Sequence, residues 1–599
     1  MSDTTTLPKP NPPAPPAAPA IASRSERLVP ILLLAFAGLA IWNAARRDFW
    51  GRETVHAVIV HEIAAAPTQL ESWLVPRLGG EPYLALAPLS YWLGAVSALI
   101  PGLDPHLAYR IPGVLSAVLA LCSTLWIGRR LFDPSIAFLA FVMQGSTLLF
   151  FFDAAWLGSD LPFVCLFQLA LGNFFLAMRE KAPRRHVWVA WIALAGAGLT
   201  KSPLLALGLA LPVLATHRIL GHWLRNSRQV IRRVAPLPAV LAFVAIAGSW
   251  YAYLWAASDL GPTLIAEHWR SGHLDVFRSD HAGARAPYFY LLAIFVAFLP
   301  WSLFLVLGVL HAKDRTRREG ERAMLTWFVV TLVALSFVAY KQASFLLLVL
   351  PPACLMVAAA FAETGERFSV WEDYLRDHLF RFVPWVLKAP AILALVLASA
   401  SLARFHERLD IPWLSSLFAD DANRHAILLL LAIAGVTAWI TAQRLRREIE
   451  SPARQRRILE LARASIFLLF VGSFLAPALD PVQSSRTFLR EVDATVGSAH
   501  LATYGAERPA AFFFYLPDRE VIHFEELIVS SDREDPKQER RTRLEHYLAS
   551  EEPVWLLAPA GEFEGLRTQF PGTASNVREV RRGRMGVHGD YVLLANRAR

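Results

Sequence analysis

Asp160 and Lys201 are the residues whose chemistry most needs explaining. Asp160 closes a short polar turn before the apolar run 161–178, and Lys201 sits in Leu199-Thr200-Lys201-Ser202-Pro203 between two apolar runs. Lys341, in Ala339-Tyr340-Lys341-Gln342, and Arg110, at the start of another run, repeat that pattern. Ionisable groups at apolar depth are costly, so they are functional suspects by default. A carboxylate can take the proton of an attacking hydroxyl, and neighbouring cations can hold a phosphate or pyrophosphate headgroup. Each residue also has a plain structural reading. Asp160 suits a helix N-cap, favoured by the positive end of the dipole, and each cation suits a helix end or a snorkelling position. Recurrence of three cations on one side of the apolar runs favours a shared anionic ligand over three separate caps.

The elements that must position these residues are membrane spans. Across 599 residues the chain is 55% hydrophobic and only 18% charged, against roughly 25% charged in globular proteins. Mean hydropathy is +0.38. The apolar residues come in blocks of about 17–22, the length of a bilayer-spanning helix, and do not alternate as barrel strands would. The expected fold is a polytopic α-helical membrane protein with about thirteen spans. They fall near 28–45, 108–128, 133–152, 161–178, 186–200, 203–217, 234–255, 288–310, 323–340, 343–362, 384–403, 424–442 and 462–479. Basic clusters in alternate loops, such as Arg129-Arg130 and Lys313–Arg322, put the N-terminus in the cytoplasm. The loops Asp48–His106 and Asp153–Asp160 then lie outside, with Lys201 and Lys341. The run 89–101 is too short to span and reads as interfacial.

The net charge of +9 follows positive-inside topology rather than a nucleic-acid footprint, so no nucleic-acid partner is expected. Cys122, Cys165 and Cys354 all lie in apolar runs and read as small buried hydrophobes. Residues 1–26, rich in Pro and Ala, form an expected disordered cytoplasmic tail, 27–480 the transmembrane domain with first outer loop 47–106, and 481–599 a small periplasmic α/β domain. Strands are expected at His500–Tyr504, Ala510–Tyr515, Glu520–Phe524, Val554–Leu557 and Tyr591–Leu594. A helix is expected at Asp535–Leu548.

Taken together, the motifs resemble the GT-C superfamily of bacterial lipid-linked-sugar glycosyltransferases, within it the aminoarabinose-transferase/protein-mannosyltransferase group. In that group the first outer loop runs approximately D-E-x-R-Y…E-M…G-D-W-x-V-P-x-L-x-G-x-P-Y-x-E-K-P-P-L-x-Y-W. Here Glu53, Glu62, Trp73, Val75, Pro76, Leu78, Gly80, Pro82, Tyr83, Pro88, Leu89, Tyr91 and Trp92 match, and His56 stands for the first Tyr. Tyr109-Arg110-Ile111-Pro112, Asp160, the Lys201 motif, Trp250-Tyr251, His268, Arg278, His281, Pro287–Tyr290, Pro300-Trp301-Ser302 and Lys341…Pro351 follow in the family's order. The departures fall on the family's working residues. Arg52 replaces its catalytic acid, and Ala85 and Leu86 replace a metal-contacting Glu and a phosphate-contacting Lys. An arginine stays protonated and cannot serve as a general base.

The resemblance implies a bacterial inner-membrane enzyme that moves a sugar from a polyprenyl-phosphate donor to a lipid or protein acceptor at the periplasmic face, in the manner of lipopolysaccharide modification. On that reading Glu53 or Asp160 is the catalytic carboxylate, while Arg52, Arg110, Lys201, Lys341 and Arg278 hold the donor phosphate. Asp48, His56 and Tyr83 line the acceptor side of the loop. No cofactor is certain; a divalent metal is left open, with His281 its remaining candidate ligand. The alternative is a catalytically inactive relative that binds polyprenyl-phosphate lipid or supports a partner transferase. A transporter would need inverted repeats or paired broken helices at the midplane, and the sequence shows neither.

Overall fold

A computed structural model describes residues 21–221, 227–257, 261–270, 284–362, 421–448, 454–505, 510–517, 521–525, 552–569, 577–585 and 589–596, with scattered positions besides. The expected tail lies outside them up to residue 20, as do most of the span 384–403 and the helix 535–548.

Eight described helices are long and apolar enough to cross a membrane, among them Pro105–Leu131, Asp160–Ala177 and Glu319–Phe337. They begin with α1 (Ile21–Arg46), whose chain then leaves the apolar zone. The first outer loop folds into α2 (Glu53–Ala65), α3 (Leu70–Leu74), a minimal hairpin of β1 (Arg77–Leu78) and β2 (Glu81–Pro82), and α4 (Leu89–Ala98). Gly79 and Gly80 both take positive φ in the hairpin turn, a conformation open to glycine at no steric cost. The Glu62 carboxylate accepts a 2.7 Å hydrogen bond from the Gly79 amide and fixes the turn to α2. The ten-residue α4 is too short to span.

Next, α5 (Pro105–Leu131) is started by Asp104, whose side chain accepts from the His106 amide, with Pro105 at the first helical position. The expected single span 133–152 is instead two helices, α6 (Pro134–Gly145) and α7 (Leu148–Ala154), bent by 65°. The break falls at Ser146-Thr147, whose hydroxyls donate to the carbonyls of Val142 (2.7 Å) and Met143 (2.8 Å). Side-chain hydroxyls thus bond carbonyls at the broken helix end within the apolar zone, as a broken span requires. From there α8 (Asp160–Ala177), α9 (Arg185–Thr200) and α10 (Pro203–Leu220) follow. The Ser202 hydroxyl caps α10 with Pro203 at its first position, so the chain must turn at Lys201. Two further expected spans are also subdivided: 288–310 into Phe289–Ala297, a 3-10 turn and Leu305–Asp314, and 343–362 into a 3-10 segment Ala343–Leu348 followed by Leu350–Ala362.

The C-terminal region carries one five-stranded sheet, ordered β4-β3-β5-β7-β6, from β3 (His500–Gly505), β4 (Val521–Glu525), β5 (Val554–Pro559), β6 (Val577–Arg584) and β7 (Asp590–Asn596). β3 pairs in parallel with β4 and β5, and β7 runs antiparallel to β5 and β6. One expectation is corrected, and one strand is added. Ala511–Tyr515 is a helix, since an unbroken apolar run has no strand alternation to enforce. β6 escaped the sequence reading because it is an exposed, arginine-rich edge strand.

This domain is fastened to the first outer loop. Phe514 meets Phe49 edge-on at 5.1 Å, and Phe49 stacks on His106 at 4.8 Å. A Cβ on Gly79 would collide with the Phe513 ring, so that phenylalanine sits directly on the hairpin turn.

Candidate active site

The base of the site is a charge knot around Glu53. This carboxylate is fully buried. Arg47 donates to both its oxygens at 2.7 and 3.0 Å, and Arg110 donates to both at 2.9 Å. The amides of Trp50 (3.0 Å) and Leu157 (2.8 Å) complete the set. Burial works against the charge, but the two guanidiniums outweigh it and hold Glu53 at about 2. Arg110, also fully buried, spends its other N–H groups on the carbonyls of Ala44, Arg47 and Asp48. Arg47 further donates to the carbonyl of Ala155 at 3.0 Å and lies over the rings of Trp50 and Trp156.

Two expectations are therefore corrected. Glu53 is no general base, since its oxygens are filled with donors and closed to substrate. Arg110 is no phosphate ligand, because its fork is spent. Together they tie the end of α1 and the start of α2 to the turn 155–159 between α7 and α8.

On the open side of that knot, Lys201 forms an ion pair with Asp160, and Ser344 hydrogen-bonds the same carboxylate. The Lys201 side chain keeps 12% of its surface and Asp160 20%, so both remain reachable. The backbone carbonyl of Lys201 accepts from the Ala87 amide at 3.2 Å, which brings the Ala85-Leu86 segment beside the pair. Arg52, at the start of α2, is exposed and lays its guanidinium over Tyr340 at 5.0 Å.

His56, one turn further along α2, is half-buried. Burial pushes its imidazole down to about 4; Asp160 pulls the other way, while Lys201 and Arg52 reinforce burial. It is neutral at pH 7. Its ring lies 5.6 Å from that of Tyr91, whose buried hydroxyl has no hydrogen-bond partner among the described residues. Tyr83 leaves the hairpin with its amide bonded to the Pro76 carbonyl at 2.7 Å and sits within electrostatic reach of Tyr91 and Tyr340.

Lys341 departs from expectation as well. It is buried and donates to the carbonyls of Ser336 (3.0 Å) and Val338, which closes the C-terminal end of the helix Glu319–Phe337. The plain capping reading describes it. Asp48, expected on the acceptor side of the loop, is likewise pinned. It is held by Arg486 (2.8 Å), His106 (3.1 Å) and Ser484 (3.2 Å), and its backbone amide and the Trp50 indole both donate to Asp480. Burial opposes the Asp48 charge, but His106 and Arg486 prevail and hold it below the usual carboxylate range. Burial and the neighbouring Asp48 push Asp480 up to about 6. These carboxylates latch the first outer loop to the C-terminal domain.

Arg278 and His281 lie outside the described residues. Among the described residues no group of three or more His, Cys, Asp or Glu side chains is placed to hold a metal. Sequence reasoning missed Arg47, Tyr340, Ser344 and Asp480. Arg47 has a signal of a kind, being the one buried member of the Arg46-Arg47 pair that ends α1.

No family profile matches the chain. It is 24% identical over 393 residues to undecaprenyl phosphate-alpha-4-amino-4-deoxy-L-arabinose arabinosyl transferase 1 of Pseudomonas fluorescens (strain Pf0-1), covering 62% of this chain and 64% of the relative. To the corresponding transferase of Edwardsiella ictaluri (strain 93-146) it is 26% identical over 327 residues, 52% of this chain and 56% of the relative. The chain thus spans under two thirds of these relatives' length. Its structure superposes on ArnT from Cupriavidus metallidurans bound to undecaprenyl phosphate with a TM-score of 0.70 and 15% identity, covering 97% of this chain and 99% of the other. The apo form of that protein gives a TM-score of 0.69. Fold and sequence matches point to the same group of proteins, and this chain is a polytopic membrane protein of the GT-C fold, similar to the aminoarabinose transferases.

Proposed function

We propose that this chain is a glycosyltransferase that moves a sugar from a polyprenyl-phosphate donor to a lipid or protein acceptor at the periplasmic face of the bacterial inner membrane. The observation that carries the reading is the reachable Asp160–Lys201 pair with the exposed Arg52 over Tyr340, a ring within electrostatic reach of both Arg52 and Asp160, in a fold shared with a protein solved with undecaprenyl phosphate bound. The names of the relatives point to a 4-amino-4-deoxy-arabinosyl group as the first sugar to try.

In this reaction the acceptor oxygen attacks the sugar carbon as its bond to the phosphate oxygen breaks. Negative charge grows on the departing lipid phosphate, where fixed cations act most strongly. Lys201 and Arg52 are the cations that meet it. Arg52 takes over the contact that Leu86 has lost, and Asp160 orients Lys201 while adding a carboxylate to the wall that receives the acceptor's hydroxyl. The neutral His56 and the Tyr83 and Tyr91 hydroxyls offer hydrogen bonds to sugar or acceptor without competing for the phosphate. Sidedness is supported by the latch, since Asp48 and Arg486 hold the C-terminal domain against the outer loop that carries Arg52. With the N-terminus cytoplasmic, loop, site and C-terminal domain all face the periplasm.

The test is turnover of undecaprenyl phosphate-aminoarabinose by the purified protein in lipid nanodiscs with lipid A as trial acceptor, read by mass spectrometry as released undecaprenyl phosphate. Release with matching gain of sugar on the acceptor is expected. Donor binding without any release, across sugars and acceptors, would show a binding protein instead.

A further inference from the structure

We infer that Asp153 is the carboxylate that takes the acceptor hydroxyl's proton, in the place left by the replaced loop acid; this rests on the transferase reading above. The neighbouring acids are already engaged, Asp160 least completely, since it stays reachable beside Lys201. Glu53 is saturated by Arg47, Arg110 and two amides, Asp48 is held by Arg486 and His106, and Asp160 by Lys201 and Ser344. Asp153 is half-buried, and among the described residues its carboxylate has neither a hydrogen bond nor an ion pair. Asp160, Lys201, Glu53 and Arg47 lie within electrostatic reach of it, and the turn that follows it is bonded to Arg47 and Glu53, so it stands at the α7 side of the site.

Its placement has no stabilising rationale. Asp153 stands in the last turn of α7, where the negative end of the helix dipole disfavours a carboxylate, and beside a second carboxylate at Asp160. A group that breaks local rules without compensation is expected at functional sites. The surroundings, by contrast, are built to hold it still. The 65° break at Ser146-Thr147 re-aims α7, and the turn just after Asp153 is fixed at two points, by Arg47 on the Ala155 carbonyl and by the Leu157 amide on Glu53. Beside His56, which Asp160 and Lys201 also reach electrostatically, the buried Tyr91 hydroxyl has no hydrogen-bond partner among the described residues, as suits a place that a polar ligand completes.

The step balances. The acceptor O–H proton passes to an Asp153 oxygen while the acceptor oxygen bonds to the sugar carbon. The bond from that carbon to the phosphate oxygen breaks with its electron pair, which leaves on the lipid phosphate and is met by Lys201 and Arg52. Asp153 then returns its proton to water.

The experiment compares wild type, Asp153→Asn, Asp153→Glu and Asp160→Asn in nanodiscs, with kcat and donor KM from lipid-phosphate release and folded state from tryptophan fluorescence. Asp153→Asn is expected to lower kcat by about 100-fold or more, the range of general-base catalysis, with donor KM within about twofold and the fold intact. Asp153→Glu restores part of kcat, which a merely structural carboxylate would not require. Asp160→Asn loses donor affinity as well, since Lys201 is released. An active wild type with unchanged kcat in Asp153→Asn would overturn the assignment and leave the transferase reading standing. A wild type without turnover would overturn both.

Discussion

Glu53→Gln keeps the shape of the buried knot and removes its one negative charge. Glu53 is held at about 2 against an ordinary 4.5, a difference worth roughly 3 kcal/mol at neutral pH. Because the folded pKa is the lower one, that contribution is complete above about pH 4.5 and is lost only as pH falls toward 2. The amide also turns two N–H donors toward Arg47 and Arg110, which already point donors at both oxygens. Breaking a buried pair on one side costs about 3–5 kcal/mol, because the remaining charges lose their compensation; the two routes to the magnitude agree. Thermal unfolding followed by tryptophan fluorescence in detergent at neutral pH should show a marked loss of stability. Turnover per folded molecule should fall by no more than about tenfold, well short of the loss expected on removing a general base. A Glu53→Gln protein as stable as wild type but without turnover would refute the structural role and return Glu53 to the position of base.

Further outcomes follow from the same contacts. Lys201→Ala should weaken donor binding by at least about tenfold, the order of a lost charge-assisted contact, while Lys341→Ala should leave donor affinity unchanged and lower thermal stability; donor titrations of both variants check this. For Asp480, held at about 6 against an ordinary 3.8, the folded state retains a proton that the unfolded state has lost, so stability falls as pH rises from about 4 to 6 and stays lower above. Asp480→Asn keeps the hydrogen-bond acceptor for the Trp50 indole, so melting curves should lose that pH dependence and show a higher midpoint than wild type at pH 8. A wild type whose midpoint is flat through the window would contradict the latch electrostatics.

Much of the fold was legible because span length and loop charge are written in one-dimensional pattern, as α5, α8 and α10 show. The charges were harder. Lys201 and Lys341 read alike in sequence, each a cation between apolar runs, and only three-dimensional packing sends one to Asp160 and the other back onto its own helix end. Glu53 and Asp160 were equal candidates for the same reason. Arg47, which decides between them, stands in a basic pair that sequence treats as a flank. Asp153 read only as the first residue of an outer loop following a single span 133–152. It became visible only once Ser146 and Thr147 broke that run and aimed α7 at the site. In the C-terminal domain, β6 and the helix Ala511–Tyr515 were misjudged because neither carries the alternation that a half-buried strand needs.

The departure that most separates this chain from the family pattern is Arg52, and Arg52→Asp tests the account at that point. With donor binding and lipid-phosphate release measured on the purified protein, loss of both affinity and turnover is predicted, since a cation facing the leaving phosphate becomes a repelling carboxylate. A gain in turnover would contradict the account, because it would mean that the natural site is crippled by the missing loop acid and that Arg52 contributes nothing to holding the donor.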